Sequence, residues 1–364
     1  MIALAIFAFC CLPFLINGIA DIPYNNPALG TYQNEEACFP LHETWYVMYR
    51  NYEQDPYFGG TGKCIKLSET GSFKHDSAPL QVNIGDNVHL DVKVTLMSSP
   101  GYTVKNVLHA DTTKEPKISF NLTAIYADCN RCKVLRHDYV DGGCSFWLPE
   151  SALGQDVQCC SFIYDLVCGP KYPLCEEIAT MRRWELTLVV ILAFVSLPLL
   201  TNGSSDVRYN NPLLGVYQNE EACFPLEEKW YIMYRNYKDD PYFGSAGQCI
   251  KIFATGPFVD NSGPFEVDVG DSDKIKVEAS LLSSPGYTVK NVIHVDVTEV
   301  PGLSLNLTAI YTDCSNCKVI HHDYVNEQAC SLWQPQSTLG QDVKCCHFIY
   351  DLLCGPKYPV CEDI

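Results

Sequence analysis

Two short stretches of the chain combine one carboxylate with two aromatic rings at a spacing of three residues. They are formed by Tyr52, Asp55 and Phe58 and by Tyr237, Asp240 and Phe243. A small protonated amine that leaves water for a protein cavity needs a carboxylate to pair with its charge, and aromatic faces add cation–π attraction. These residue types therefore fit an amine pocket. The competing interpretation is that Asp55 and Asp240, each followed by proline, only begin a turn.

The surrounding sequence alternates apolar and polar residues with a period of two, which is typical of half-buried strands. This rule predicts eight strands in the first half of the chain, near 44–52, 63–68, 80–84, 88–97, 103–111, 118–126, 133–139 and 145–148. Turn residues separate the strands, and an amphipathic helix follows within 151–168. Eight antiparallel strands with short connections predict an all-β fold. The expected architecture is an up-and-down barrel with a C-terminal helix and room for one small ligand.

The whole pattern occurs twice in the chain. The segment that begins at Tyr24 recurs from Tyr209, and Cys38 and Cys223 define an offset of 185 residues. A period of this length is the size of one complete small domain. We therefore predict two eight-stranded barrels, in residues 21–178 and 206–364.

Each predicted domain follows an apolar segment of the secretory-signal type. Residues 1–20 end in small residues, as signal peptides do, and a similar segment begins at Met181 within 179–205. The apolar core of each is short and contains a proline, which argues against a membrane span. Two explanations of the internal segment remain: a signal that is cleaved, or two neighbouring genes joined in one reading frame. We favour the joined genes, and in both cases the functional unit is one domain.

Composition narrows the class of protein. The formal net charge of −18 argues against binding to nucleic acid or to anionic membranes. The 20 cysteines predict a disulfide framework in an oxidising, extracellular compartment. Cys10 and Cys11 lie in the first signal, so each domain keeps an odd number of cysteines. The unpaired cysteine predicts a free thiol or an intermolecular bridge, or a bridge between the domains if they share one chain.

Motifs for catalysis are absent from the sequence. It contains no GxSxG, HExxH or glycine-rich phosphate loop, so we expect no enzyme, no cofactor and no metal. The pair Cys129 and Cys132 has the spacing of a redox or zinc motif. It precedes a strand rather than a helix, and an oxidising compartment favours disulfides. His137 lies next to Asp138 on a predicted strand, so the two point to opposite faces, and we interpret this segment as a solvated strand end.

An Asn-Leu-Thr sequon occurs once in each copy, at Asn121 and Asn306. Both sequons predict N-glycosylation, provided that the asparagine faces outward from its strand.

The stretch "WYVMYRNYEQDPYFGGTGKC", with "AIYADCNRCKV", "CSFW" and the late cysteines, resembles the tick salivary lipocalins, in particular the histamine-binding group. The resemblance covers both copies. It implies lipocalin barrels that are secreted in saliva and sequester host mediators. It also implies that the two Tyr/Asp/Phe sets match a tyrosine, an aspartate and a tryptophan that contact histamine in the family. A biogenic amine such as histamine or serotonin is therefore the expected ligand.

Other positions depart from the family pattern. Ser145 and Ser331 stand where the histamine binder has a glutamate, and Lys133 and Lys318 stand where it has an aspartate of a second amine site. Loss of acids would suit an apolar mediator such as an eicosanoid, which is one alternative. A protein inhibitor that captures a host protein through its loops is another.

The resemblance also implies a set of disulfides. The implied pairs are Cys64–Cys175, Cys38–Cys159 and Cys132–Cys160 in the first copy, and Cys249–Cys361, Cys223–Cys345 and Cys317–Cys346 in the second. Cys129, Cys144 and Cys168 exceed the usual pairs of the family, so one cysteine remains over.

Overall fold

The computed structural model describes residues 22–58, 60–61, 63–175, 209–244, 249–270 and 273–361. The predicted signal at 1–20 and the internal segment at 179–205 lie outside the described residues. Within the described part, no helix has the length and apolar character that a membrane crossing requires.

The first copy folds into a closed antiparallel barrel. Its eight strands are β1 Trp45–Arg50, β2 Ile65–Glu69, β3 Ser77–Ile84, β4 Val88–Met97, β5 Val107–Thr112, β6 Ser119–Asp128, β7 Cys132–His137 and β8 Cys144–Pro149. Each strand pairs with the next along the chain, and β1 pairs with both β2 and β8, which closes the barrel. The predicted fold class is confirmed.

Two strand boundaries differ from the prediction by three residues or more, each for a local reason. β3 begins three residues early because residues 77–79 pair with β4 alone, and Pro79 is tolerated beyond the last β2 partner, Leu80. β5 begins late because the buried Asn106 closes the preceding loop, where its Oδ1 accepts the Ser99 N–H at 2.8 Å.

The predicted helix follows the barrel. α1 spans Gln158–Val167 and buries Cys160, Phe162, Ile163 and Tyr164. A two-residue strand, β9 Tyr172–Pro173, then returns to pair with β1.

The second copy repeats this architecture. Its elements are β10 Trp230–Arg235, β11 Ile250–Ala254, β12 Ser262–Val269, β13 Asp273–Leu282, β14 Val292–Val297, β15 Ser304–Asp313, β16 Cys317–His322, β17 Cys330–Pro335, α2 Lys344–Leu353 and β18 Tyr358–Pro359. β10 pairs with both β11 and β17, so the second barrel is also closed.

A bulge in β1 changes which side chains enter the lumen. The register with β8 shifts between Val47 and Tyr49. As a result, Trp45 and Val47 line the lumen before the bulge, and Arg50 lines it after the bulge. An extra residue in one strand re-aims the side chains that follow. β10 carries the same irregularity between Ile232 and Tyr234.

The disulfides correct part of the expected pairing. In the first copy the structure pairs Cys64 with Cys175, Cys132 with Cys160 and Cys144 with Cys168. Cys38 pairs with Cys129, not with Cys159, because the β6–β7 turn places Cys129 beside the short helix that ends at Cys38. The second copy likewise has Cys223–Cys314 in place of Cys223–Cys345, with Cys249–Cys361, Cys317–Cys346 and Cys330–Cys354.

The two remaining cysteines of the described residues pair with each other. Cys159 and Cys345 form a bridge between the copies. Neighbouring residues on a helix point about 100° apart, so Cys160 can face its own barrel while Cys159 faces the other copy.

The sequon asparagines lie on the outer face of their barrels. Asn121 is half-buried between the buried Phe120 and Leu122, and Asn306 is exposed. This orientation meets the geometric condition for glycosylation, which stays a prediction.

Candidate ligand-binding site in the barrel lumen

Each barrel encloses a cavity with a largely apolar wall. The space open to the centre of a water molecule is about 70 Å³ in the first barrel and about 50 Å³ in the second. One water needs roughly 10–15 Å³ on this measure, so each lumen has room for several waters or one small organic molecule. Every strand of the first barrel contributes to the wall, through Val47, Ile65, Leu80, Val94, Leu108, Leu122, Leu135 and Trp147.

Asp55 lies in the turn after β1 and uses its two carboxylate oxygens differently. Oδ1 accepts the backbone N–H groups of Tyr57 and Phe58, each at 2.8 Å, which caps the turn. Oδ2 accepts the hydroxyl groups of Tyr52 at 2.8 Å and Tyr139 at 3.1 Å. The side chains of Asp55 and of both tyrosines line the lumen. The carboxylate therefore serves the turn with one oxygen and the lumen with the other.

Aromatic rings surround this carboxylate. Phe58 is buried and packs edge-to-face on Phe120 with ring centroids 5.1 Å apart, and Phe120 packs on Tyr139 at 5.2 Å. The structure thus brings the predicted Tyr52, Asp55 and Phe58 together at one end of the lumen.

Arg50 lies beside Asp55 and was not among the predicted site residues. Its Nη1 is 3.5 Å from Asp55 Oδ2, and both side chains are 2% exposed. The rest of the guanidinium donates to backbone carbonyls of the following loop, at Tyr52, Glu53 and Gly60. Nη1 has no hydrogen-bond partner among the described residues. A buried donor without a partner is costly, so Nη1 is available to an acceptor on a ligand.

A chain of hydrogen bonds leads from Trp147 to Asp55. Trp147 Nε1–H donates to Ser145 Oγ at 2.6 Å, and Ser145 Oγ lies 2.6 Å from His137 Nε2. His137 Nδ1 lies 2.7 Å from the Tyr52 hydroxyl, which donates to Asp55. Every hydrogen bond in this chain has one donor and one acceptor if the Ser145 hydroxyl donates to His137 Nε2 and the neutral His137 carries its proton on Nδ1. In that tautomer Nδ1–H donates to the Tyr52 hydroxyl oxygen.

Burial keeps this network uncharged apart from the Arg50–Asp55 pair. Burial lowers the pKa of His137 to about 3, although the charge of Asp55 acts in the opposite direction. Burial also raises the pKa values of Tyr52 and Tyr139 well above that of a free phenol. At neutral pH the imidazole is therefore neutral and the phenols keep their protons.

Replacing Ser145 by alanine is expected to lower the free energy of unfolding of the first barrel by about 1–3 kcal/mol. Both Trp147 Nε1–H and His137 Nε2 would lose a buried partner. Denaturant titration with hydrogen exchange read on peptides of each barrel would measure the loss. Ser331→Ala should have the same effect on the second barrel, whereas Ser119→Ala, on the exposed outer face of β6, should change little. Equal effects of Ser145→Ala and Ser119→Ala would contradict the network.

Comparison with known proteins agrees with this architecture. The family model described as tick histamine binding protein matches residues 23–178 and 210–363, which together form most of the chain. The chain belongs to the tick histamine-binding protein family. The family places both copies among the small-ligand-binding lipocalins. No curated protein matches the chain in sequence.

Solved structures resemble this chain only distantly. A serotonin complex of AM182 shares 14% identity with a TM-score of 0.29, over 37% of this chain and 83% of that one. Apocrustacyanin C2 shares 18% identity with a TM-score of 0.25, and the match covers 35% of this chain and 69% of that one. A protein of unknown function from Nostoc punctiforme shares 9% identity with a TM-score of 0.20, over 82% and 97%.

Lys133 occupies the position at which the family resemblance predicts an aspartate, and it forms an ion pair with Glu35. Its Nζ donates to Glu35 Oε2 at 2.5 Å, and the two side chains are 5% and 0% exposed. The ammonium also lies 4.6 Å from the ring centroid of Trp45 and 5.6 Å from that of Phe39. A lysine ammonium thus occupies the acid-and-ring setting that a ligand amine would require.

The second barrel repeats the hydrogen bonds of the site with less aromatic surface, although Tyr237 and Arg235 are not among the residues that line its cavity. Asp240 Oδ2 accepts the hydroxyls of Tyr237 at 3.0 Å and Tyr324 at 2.8 Å, and Arg235 Nη1 is 3.7 Å away. Asp240 and Phe243 line the cavity. Leu305 occupies the position of Phe120, and Phe265, which lines the cavity, that of Leu80, so one ring near the carboxylate is lost and the opposite wall is bulkier.

Some residues that line the lumen beside Asp55 were not among the predicted site residues. His137 was interpreted as part of a solvated strand end, but it is only 7% exposed and faces the lumen, while Asp138 faces outward. The strand alternation predicted the opposite faces correctly. The alternation does not indicate which of the two faces points into the barrel. Cys129 and Cys132 lie in separate bridges, and the described residues contain no cluster suited to a metal ion.

Proposed function

We propose that the protein is a secreted lipocalin in which each barrel sequesters a small host mediator, a protonated aromatic amine of the histamine or serotonin type. The observation that carries the proposal is the buried carboxylate of Asp55, whose Oδ2 is shared with two phenols and surrounded by rings at the end of an apolar lumen. Asp240 has the equivalent place in the second barrel. Sequestration of this kind requires binding alone and no chemistry.

Arg50 refines the chemistry of the expected ligand. Its charge partly compensates Asp55, so a simple alkylamine would gain little from this site. Its Nη1–H, which lies 3.5 Å from Asp55 Oδ2 but has no hydrogen-bond acceptor among the described residues, can donate to an acceptor on the ligand. A ligand that carries an ammonium group together with an imidazole nitrogen or a hydroxyl group satisfies both residues. Histamine and serotonin have this combination, whereas phenethylamine has the ammonium and the ring but no acceptor.

Calorimetric titration of the full chain tests the proposal. We expect two sites for histamine or serotonin, one site in Asp55→Asn or Asp240→Asn, and none in the double variant. Removal of a buried charge partner costs about 2–5 kcal/mol, so each variant site should weaken by at least about 30-fold. Phenethylamine should bind at least about 10-fold more weakly than serotonin, because Arg50 Nη1 stays unpaired.

Asp138→Asn with Asp323→Asn is the matched control. These acids face outward beside the same lumen strands, so their replacement removes equal charge without touching the cavity. Amine binding that persists in the Asp55/Asp240 double variant would exclude this site. The absence of amine binding in the unmodified chain would exclude the amine function.

The second candidate is an apolar mediator with a carboxylate, such as an eicosanoid. The observation in its favour is the combination of an apolar wall with Arg50 Nη1, which has no hydrogen-bond partner in the part of the chain that the structure describes. Titration with arachidonic acid separates the candidates. A carboxylate ligand should bind as well or better in Asp55→Asn and lose at least about 10-fold in Arg50→Met, which removes its donor.

A further inference from the structure

The outer faces of the two helices meet in a reciprocal interface between the barrels. Phe348 of α2 packs on Tyr126 and Tyr32 of the first copy, with ring centroids 5.0 and 5.5 Å apart. Phe162 of α1 packs on the second copy in the same way, against Tyr311 at 5.1 Å and Tyr217 at 5.6 Å. Both phenylalanines have no exposed surface. Buried aromatic anchors of this kind are typical of specific protein–protein interfaces.

The polar contacts of this interface are reciprocal as well. The Tyr32 hydroxyl donates to Asp351 at 2.7 Å, and the Tyr217 hydroxyl donates to Asp165 at 2.6 Å. These are equivalent positions of the two copies. The same patch on both partners is the mark of a twofold interface, in which each unit carries both halves of the contact. The partner that the surface fits is therefore another domain of the same type.

The odd cysteine lies in this same patch. Four bridges within each copy use eight of its nine cysteines, and the ninth, Cys159 or Cys345, occupies the same position of α1 or α2. The cysteine count and the reciprocal aromatic contacts thus point to one partner independently of each other.

We propose that the helix face around Phe162, Phe348 and the Cys159–Cys345 bridge is a pairing surface that holds the barrels together independently of the segment between them. Cleavage of the signal-like segment within 179–205 would then yield a disulfide-linked pair of domains, not two free barrels. The proposal concerns assembly and does not depend on which ligand the lumens bind.

The test uses the full secreted chain with a site-specific protease sequence placed within 179–205. After the cut, we expect one species with the mass of both domains under non-reducing denaturing conditions, and two halves after reduction. A non-reducing peptide map should join the peptides that contain Cys159 and Cys345. Separation of the halves without reductant, or a Cys159 peptide joined to Cys38, would overturn the proposal.

Two variants separate the covalent from the noncovalent contribution. The cut Cys159→Ser/Cys345→Ser chain should separate under denaturing conditions and still elute as a pair in native size exclusion. Adding Phe162→Glu and Phe348→Glu should release the two domains, because two charges would enter an apolar contact. The Cys144–Cys168 and Cys330–Cys354 bridges in the same map report that the barrels have folded. Paired elution of folded domains that carry all four substitutions would place the pairing surface elsewhere.

Discussion

Lys133→Met is expected to destabilise the first barrel by about 3–5 kcal/mol, because it leaves a carboxylate buried without its counter-ion. Glu35 has no exposed surface, and its Oε1 has no hydrogen-bond partner among the described residues. The Lys133 ammonium is therefore its main compensation. Urea unfolding, with hydrogen exchange resolved between the barrels, measures the loss. Lys318→Met should act equally on the second barrel, where Lys318 pairs with Glu220.

The double variant Glu35→Gln/Lys133→Met provides the decisive comparison. A neutral pair of similar volume removes both buried charges, and such replacements are often neutral or stabilising. We expect it to recover most of the stability that Lys133→Met loses. Lys114→Met is the surface control, since Lys114 and its partner Asp91 are 81% and 41% exposed. Additive losses from Glu35→Gln and Lys133→Met would show that the two charges do not depend on each other.

Stability is expected to fall as the pH drops from 6.5 towards 5, before most carboxylates titrate. Burial lowers the pKa values of His137 and His322 to about 3, whereas an unfolded histidine titrates near 6.5. Between these values the unfolded chain binds more protons, so stability rises with pH. The full contribution is present above pH 6.5 and is lost progressively below it. Relative to neutral pH, protonation of each of these histidines in the unfolded chain lowers the free energy of unfolding by about 2 kcal/mol at pH 5.

Denaturant titrations at pH 7, 6 and 5 measure this slope. The His137→Gln/His322→Gln variant has no titrating ring at either position, so its slope should be much smaller, whereas His89→Gln, on an exposed face, should keep the full slope. Imidazole proton signals in NMR spectra provide a direct reading. A signal of His137 or His322 that titrates near pH 6.5 in the folded protein would refute the buried neutral state.

Local sequence patterns predicted most of the fold. Strict alternation, as in Val88–Met97, places apolar side chains on one face of a strand whatever its neighbours are, and the same pattern predicted all eight strands of the first barrel. The Asp-Pro turn after β1 was likewise predictable, because Asp55 caps backbone groups only two and three residues away. Interactions within a few residues can be read from spacing alone.

The partners of the site residues could not be read in this way. Tyr52 meets His137 across 85 positions of sequence, and Lys133 meets Glu35 across 98. Such pairs exist only once the barrel has closed. The bulge after Val47 is a second reason why the site could not be predicted from the sequence. Regular alternation from Trp45 would place Arg50 on the opposite face of the strand, away from the lumen. One extra residue therefore decides that a buried cation stands beside the candidate carboxylate.

The sequence by itself determined that the chain contains two similar barrels, each with a carboxylate among aromatic residues and one cysteine in excess. These properties depend on composition, period and spacing. The tertiary structure decided that Asp55 is paired with Arg50, that Lys133 carries its own counter-ion, and that the excess cysteines join the two barrels. The physical reason is that pairing of charges and thiols depends on distance in space, which strand register, a bulge and helix orientation set together.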